Sequence, residues 1–395
     1  MTALTTGSAG TLKSDTPPWI IVGQVAAALA AGMGIGRFVY TPILPLMVTQ
    51  TQMTSQLGAV IATANYVGYL AGAMAGIFFP RLLQSKVTLR ISLVVVVLTL
   101  ATMPITENGT IWFVLRLIAG IASALVFMIA VSSMLMNLRA HRSHLAGWAF
   151  GGVGAGIALS GLLVLALHAV SNWSVAWVAS AILAAILSAL AWTLKTQQPA
   201  TQSSSAVKLS FPRTHRWFSV LLVSYSLEGI GYIIAGTFLV AAIDQSGPGW
   251  IGSGAWVLVG LAALPSSALW AWLGHRFSRP MLLFAALVVQ AIGIALPALF
   301  GGVVPAIISA ILFGATFLGI GTIAIATGAH LQFPRAVALL TTGYSVGQIL
   351  GPLLVSPVLN HGYHDALLIG AATVTLAALA AVVLSVRFPT LRPHT

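Results

Sequence analysis

Three ionisable side chains stand inside long apolar runs of this sequence: Arg37, Arg116 and Glu228. An ionised group at the centre of a bilayer costs about 2.5–3.5 kcal/mol on insertion scales, so each needs a partner, a cavity or a task. Glu228, in Tyr225-Ser226-Leu227-Glu228-Gly229-Ile230-Gly231-Tyr232, is the one acid so placed. Desolvation favours the neutral form of such a carboxyl, and a nearby arginine favours the charged form. A group poised between the two can load and release a proton. The other readings are a fixed partner that neutralises an arginine and a direct contact with a cationic substrate. Arg37 suits an anionic group in a cavity, or else backbone carbonyls freed by the glycines and prolines around it. Arg116 begins a later run, close enough to its end to snorkel to the interface.

Polar side chains within the same runs are candidates for the lining of a cavity. They are Tyr40, Asn65, Tyr66 and Tyr69 in the first half, and Tyr225, Tyr232, Gln290, Tyr344 and Gln348 in the second. A tyrosine in a membrane serves equally to hydrogen-bond a neighbouring helix. Other chemistries find little support. The chain has no cysteine, which removes disulfides, thiolate metal sites and a cysteine nucleophile. No Gly-x-x-x-x-Gly-Lys run occurs, so the chain does not drive its work by its own ATP hydrolysis. His141 and His144 lie in a basic loop, and His361 and His364 beside Asp365 give only a faint hint of metal. No cofactor is expected, and the reading is not that of an enzyme.

The elements that must hold these residues follow from composition. Of 395 residues 58% are hydrophobic and 6% charged. Soluble domains carry about 25% charged residues, so most of this chain must face lipid or other apolar helices. Apolar runs long enough to cross a bilayer lie near Trp19–Met47, Leu57–Phe79, Val87–Ile105, Ile111–Leu138, Leu145–Val170 and Trp173–Leu194. Six more lie near Trp217–Ile243, Ile251–Leu273, Met281–Phe300, Val303–Ala329, Ala336–Leu359 and Ala366–Val386. The first run is too long for a signal-peptide core and reads as an uncleaved helix. Little more than Gly301-Gly302 separates the ninth run from the tenth.

The charges order themselves on this count. Lys13, Arg81, Lys86, Arg90, Arg139, Arg142, the linker bases, Arg276, Arg279, Arg335, Arg387 and Arg392 all fall on one side of a twelve-span chain. Glu107, Asp244 and Asp365 fall on the other. Positive residues stay inside, so both termini and the linker are expected in the cytoplasm of a cell whose inner membrane the chain spans. Trp19, Trp112, Trp173, Trp217 and Trp250 lie near span ends, where amphipathic rings prefer the interface. The net charge of +12 is spread over many short loops, which disfavours nucleic acid as a partner.

The expected organisation is a tail over 1–17, a six-helix bundle over 18–195, a polar linker over 196–216, a second bundle over 217–387 and a tail over 388–395. Gly34-Ile35-Gly36 and Gly229-Ile230-Gly231 occupy equivalent first spans, as a parallel repeat requires. On that alignment Arg37 matches Tyr232, one turn from Glu228.

This plan resembles the major facilitator superfamily. The family pattern G-x-x-x-D-R-x-G-R-R between spans two and three is partly kept as Gly76-x-x-x-Pro80-Arg81, with proline at the acidic position. Its second copy is closer, as His275-Arg276-Phe277-Ser278-Arg279. Arg116 followed by Gly120 matches the span-four motif. Gly147, Gly151, Gly152, Gly154 and Gly156 resemble the glycine-rich motif of span five without its proline. Span eleven carries Gly343-x-x-x-Gly347-x-x-x-Gly351-Pro352. The segment from Gly32 to Met47, with Gly34, Gly36, Arg37, Tyr40, Pro42 and Pro45, is similar to the first-helix signature of the YbfB/YjiJ group.

The resemblance implies an all-α membrane fold of two six-helix bundles around a central cavity. It implies a role for Arg116 in proton transfer or helix packing, and a gating or packing role for the motif residues. Arg37 and Glu228 would face each other across the cavity, and the glycine runs of spans five and eleven would form sliding seams. The function expected is alternating-access transport of a small solute, proton-coupled and outward, by a monomer. The competing readings are proton-driven import of an organic anion, and a sensor or scaffold without transport.

Overall fold

The computed structural model describes residues 17–137, 144–167, 172–196, 214–247 and 250–389. The basic residues Lys13, Arg139, Arg142, Lys208, Arg213 and Arg392, and His141, lie outside these. Among the described residues twelve helices are long and apolar enough to cross a membrane. Spans 1 to 6 are Pro18–Gln50, Ser55–Phe78, Lys86–Ile105, Gly109–Asn137, Leu145–Ala166 and Trp173–Ala191. Spans 7 to 12 are His215–Gln245, Trp250–Leu273, Arg279–Leu299, Val303–His330, Ala336–His361 and His364–Ser385. Helix is the form that satisfies every backbone group within its own segment, which hydrocarbon demands. Spans 9 and 10 are separate helices. The chain turns between them at Gly302, whose φ of 103° a residue with a Cβ rarely adopts.

The two halves repeat one packing plan. Span 2 lies on span 4, span 3 on spans 4 and 6, and span 1 on spans 5 and 6. Span 8 lies on span 10, span 9 on spans 10 and 12, and span 7 on spans 11 and 12. Each pairing recurs six spans later. The short Gly-Ile-Gly repeat obeys the same rule. A Cβ on Gly34 would stand 2.5 Å from Gly156 of span 5, and one on Gly229 would stand 2.7 Å from the Tyr344 carbonyl of span 11. Close backbone approach across small residues is how helices pack where lipid is as apolar as the side chains.

One expectation needs correction. Span 1 is not one helix. It runs as an α-helix over Pro18–Leu29, widens to a π-helical stretch over Ala30–Ile35, turns through Gly36–Val39 and resumes over Tyr40–Gln50. The tryptophans expected near span ends differ in burial. Trp112 and Trp173 are buried edge-to-face against each other, and the Trp112 indole donates to the Met103 carbonyl at 2.9 Å. Trp19 and Trp250 are exposed, as interface residues should be.

Candidate functional site

The break in span 1 creates the site. In the widened stretch the amides of Gly36 and Phe38 reach back five residues, to Ala31 and Met33. The Thr41 amide turns to the Phe38 carbonyl, and Pro42 and Pro45 bring no amide at all. Carbonyls in this segment are thereby left without helical partners. Arg116 of span 4 takes two of them, donating from Nη1 to Gly36 at 2.9 Å and from Nη2 to Arg37 at 2.8 Å. The task considered for Arg37, satisfying freed backbone, thus falls to Arg116, and Arg116 does not snorkel. Its guanidinium lies over the rings of Tyr40 and Trp177.

Arg37 is released for other contacts. It is buried, and its Nη2 donates to Gln348 Oε1 of span 11 at 2.7 Å. Its guanidinium carbon lies 4.5 Å from the centre of the Tyr69 ring, 4.9 Å from Tyr66 and 5.2 Å from Phe38. Its Nε has no hydrogen-bond partner. The three rings supply cation–π attraction but no negative charge.

Glu228 lies elsewhere in the same centre. The expected pairing across the cavity is not formed: among the described residues neither Glu228 oxygen accepts a hydrogen bond of normal geometry, from Arg37 or from another group. Gln290 of span 9 is the side chain that faces the carboxyl, and its own amide nitrogen and oxygen are also without partners. The two are close without a hydrogen bond of normal geometry. Tyr232 and Tyr344 lie within electrostatic reach of both Glu228 and Arg37. The Tyr344 ring stacks on Tyr225 at 4.5 Å and on Tyr232 at 5.7 Å. Tyr232 reaches Phe317 at 5.1 Å, which meets Phe38 beside Arg37 at 5.5 Å.

The remaining candidates divide. Tyr66 bonds Thr237 across the halves at 2.8 Å. Asn65 is a packing residue rather than a lining one, buried and donating to the Arg116 carbonyl at 3.0 Å. Tyr40 likewise spends its hydroxyl on the Gly58 carbonyl at 2.9 Å. Gly120 lets span 4 approach the Asn65 carbonyl of span 2. Gly151 and Gly154 face Leu264 of span 8, so the span 5 glycines do form a seam between the halves. Gly347 and Gly351 face Ser226, Ile230 and Ile233 of span 7, within one half, so the span 11 run with its buried Pro352 is not the matching seam. Arg81 is exposed, Arg276 lies over Trp272, and Arg279 bonds His330 Nδ1 at 2.8 Å. His364 bonds Ser246, and no three His, Cys, Asp or Glu converge among the described residues.

Five side-chain hydrogen bonds join the halves among the described residues. They are Arg37–Gln348, Thr41–Gly236, Ser55–Tyr363, Gln56–Asn360 and Tyr66–Thr237. All lie from the middle of the spans toward the face remote from Pro18 and Ser385. Thr41, Thr237, Ser55, Tyr363 and Phe317 carry no signal in the sequence, because a threonine or serine in an apolar run most often bonds its own helix.

A family model described as an uncharacterised MFS-type transporter, YbfB, matches residues 29–382. No curated protein matches the chain by sequence. Among solved structures, the nucleoside transporter NupG superposes with a TM-score of 0.69 and 16% identity, over 92% of this chain and 98% of that one. A point mutant of NupG superposes with a TM-score of 0.73 and 16% identity, over 93% of this chain and 100% of that one. At this identity the likeness is one of fold.

Proposed function

The chain belongs to the YbfB family of MFS-type transporters, and from that membership we propose that it is a proton-coupled secondary transporter exporting a small solute. Membrane transport without catalysis follows from the family. The coupling, the direction and the solute are our reading. The observation that carries it is Glu228: a carboxyl buried at mid-membrane, with no hydrogen bond of normal geometry to either oxygen and no cation paired to it among the described residues. A structural acid would be paired, since an unpaired buried charge is costly. A carboxyl that alternates between protonated and ionised forms has reason to lack a fixed partner, and Gln290 can bond either form.

The basic loops support an inner-membrane placement with both ends in the cytoplasm. On that placement the five bonds between halves lie from the middle of the spans to the outer side, while on the cytoplasmic side the halves meet through the glycine seam of spans 5 and 8. Alternating access then requires those bonds to break when the site turns outward. The partners are the solute, protons and lipid, and the chain works as a monomer.

The test is transport in proteoliposomes with an imposed pH gradient and a metabolite library. The wild type should concentrate its solute against a gradient. Glu228→Gln should lose accumulation while keeping solute-for-solute exchange. A Glu228→Gln protein that still concentrates the solute under the proton force would show the coupling assignment to be wrong.

A further inference from the structure

The geometry points to Arg37 as the binding site of a planar organic monocarboxylate, with Gln348 occupying the place of its carboxylate in the present state. This deepens the transport reading and rests on it only for the compound's role as cargo.

The first observation is charge. Arg37 is 3% exposed and keeps its Nε without a partner. Its one side-chain hydrogen bond goes to a neutral amide oxygen, Gln348 Oε1 at 2.7 Å. Guanidinium and carboxylate match as two parallel charge-assisted bonds, and arginine is preferred where such planar recognition is needed. A buried arginine with a donor to spare and no acid is incomplete by one anion. Arg116 is the contrast. It is equally buried and its Nε is likewise without a partner, but carbonyls take both of its terminal nitrogens, whereas Arg37 spends one, on Gln348.

The second observation is shape. The guanidinium is bordered by Tyr66, Tyr69 and Phe38, and from Phe38 the rings continue through Phe317 and Tyr232 to Tyr344. A ligand anchored at Arg37 would lie its body on this surface, and flat unsaturated bodies fit aromatic faces best. Tyr69 and Phe317 retain 9% and 8% of their surface, and Tyr344 more, so the cluster is not sealed completely. Gln348 is an unbranched side chain that can swing aside when a carboxylate arrives. In its absence the amide oxygen keeps Arg37 from being wholly unsatisfied.

The test is ligand binding to the full chain in nanodiscs, without any gradient, so that its result is independent of coupling. Benzoate and 2-naphthoate serve as probes. Benzamide serves as the neutral match, acetate and cyclohexanecarboxylate as the carboxylates without a flat ring, and inorganic phosphate as the non-carboxylate anion. Binding is read by calorimetry and by the rise in unfolding temperature that any ligand of the folded state produces. An aromatic carboxylate should bind, and the other probes should bind at least about tenfold more weakly. Arg37→Gln should weaken the aromatic carboxylate by about 30-fold or more, the scale of losing one partner of a buried charge pair.

Gln348→Glu gives the decisive result. It places a tethered carboxylate on Arg37, so it should raise the unfolding temperature of the unliganded protein and abolish the response to the probe. Gln348→Ala should keep the response. The assignment is overturned if neither aromatic carboxylate binds, if benzamide or phosphate binds equally well, or if Gln348→Glu binds benzoate as the wild type does. Probe binding that follows this pattern across the variants, while proton-driven transport fails, would sink the coupling reading and leave this site standing.

Discussion

Arg116 holds the backbone of Arg37, its Nη2 donating to the Arg37 carbonyl at 2.8 Å while its Nη1 holds Gly36 at 2.9 Å. One buried arginine thus fixes the shape of the turn from which the other projects. Hydrogen bonds from charged donors contribute about 1.5–3 kcal/mol each. Arg116→Lys should keep the charge but lose one of the two bonds, lowering stability by that amount in a thermal-unfolding measurement. Arg116→Met should cost more, because it leaves two buried carbonyls without donors. If Lys, Met and wild type unfold together, the latch has no energetic role.

The seam between spans 5 and 8 is backbone against backbone. A Cβ on Gly260 would stand 2.1 Å from the Ala158 amide nitrogen, and one on Gly154 would stand 2.5 Å from that of Leu264. Nothing there is a flexible side-chain tip. Gly260→Ala should cost about 1–3 kcal/mol, the scale of core overpacking, and reduce turnover with it. Gly23→Ala is the control, since a Cβ at Gly23 meets nothing within 4 Å. It should unfold at or slightly above the wild-type temperature, as alanine favours helix over glycine.

Thr41 Oγ1 donates to the Gly236 carbonyl on the face remote from the chain ends. The sequence contains no cysteine, so a pair introduced there has no competitor. A Cβ on Gly236 meets no atom of span 1 within 4 Å, so Thr41→Cys with Gly236→Cys should be joined by a short bis-methanethiosulfonate rather than by a direct disulfide, and the cross-link should stop transport and reverse with reductant. Full turnover of the cross-linked protein would mean that spans 1 and 7 need not part on that face.

Tyr363 sits in the loop between spans 11 and 12, where its hydroxyl meets Ser55 at 2.9 Å. Burial raises its phenol above the ordinary 10.0, with the Ser55 bond pulling the other way. A raised phenol favours the neutral form in the folded state. Its contribution is therefore complete below about pH 10 and is lost only as pH climbs through the folded value. Tyr363→Phe should lower stability by about 1 kcal/mol, the worth of a neutral hydrogen bond. That difference should be the same at pH 6 and pH 9. A difference that shrinks within this range would contradict the assigned state of the phenol.

Much of the architecture was legible in the residues themselves. Run lengths and charge order are properties of local sequence, because the bilayer acts on each segment separately, and they counted twelve spans correctly. The rarity of ionisable residues in those runs also singled out Arg37, Arg116 and Glu228, all of which are buried. The Gly-Ile-Gly repeat marked equivalent helices because close approach needs small residues wherever it recurs.

What those three residues touch was decided by tertiary structure alone. The glycines and prolines of span 1 announced a weak helix, but not that Arg116, 80 positions from Gly36, would repair it. Nor did they tell that Arg37 would pass over Glu228 for Gln348, 311 positions away. Two opposite charges in one centre invite pairing on paper. Which groups come within hydrogen-bond reach is set by the rotation and depth of each helix, and those depend on how all twelve spans pack together.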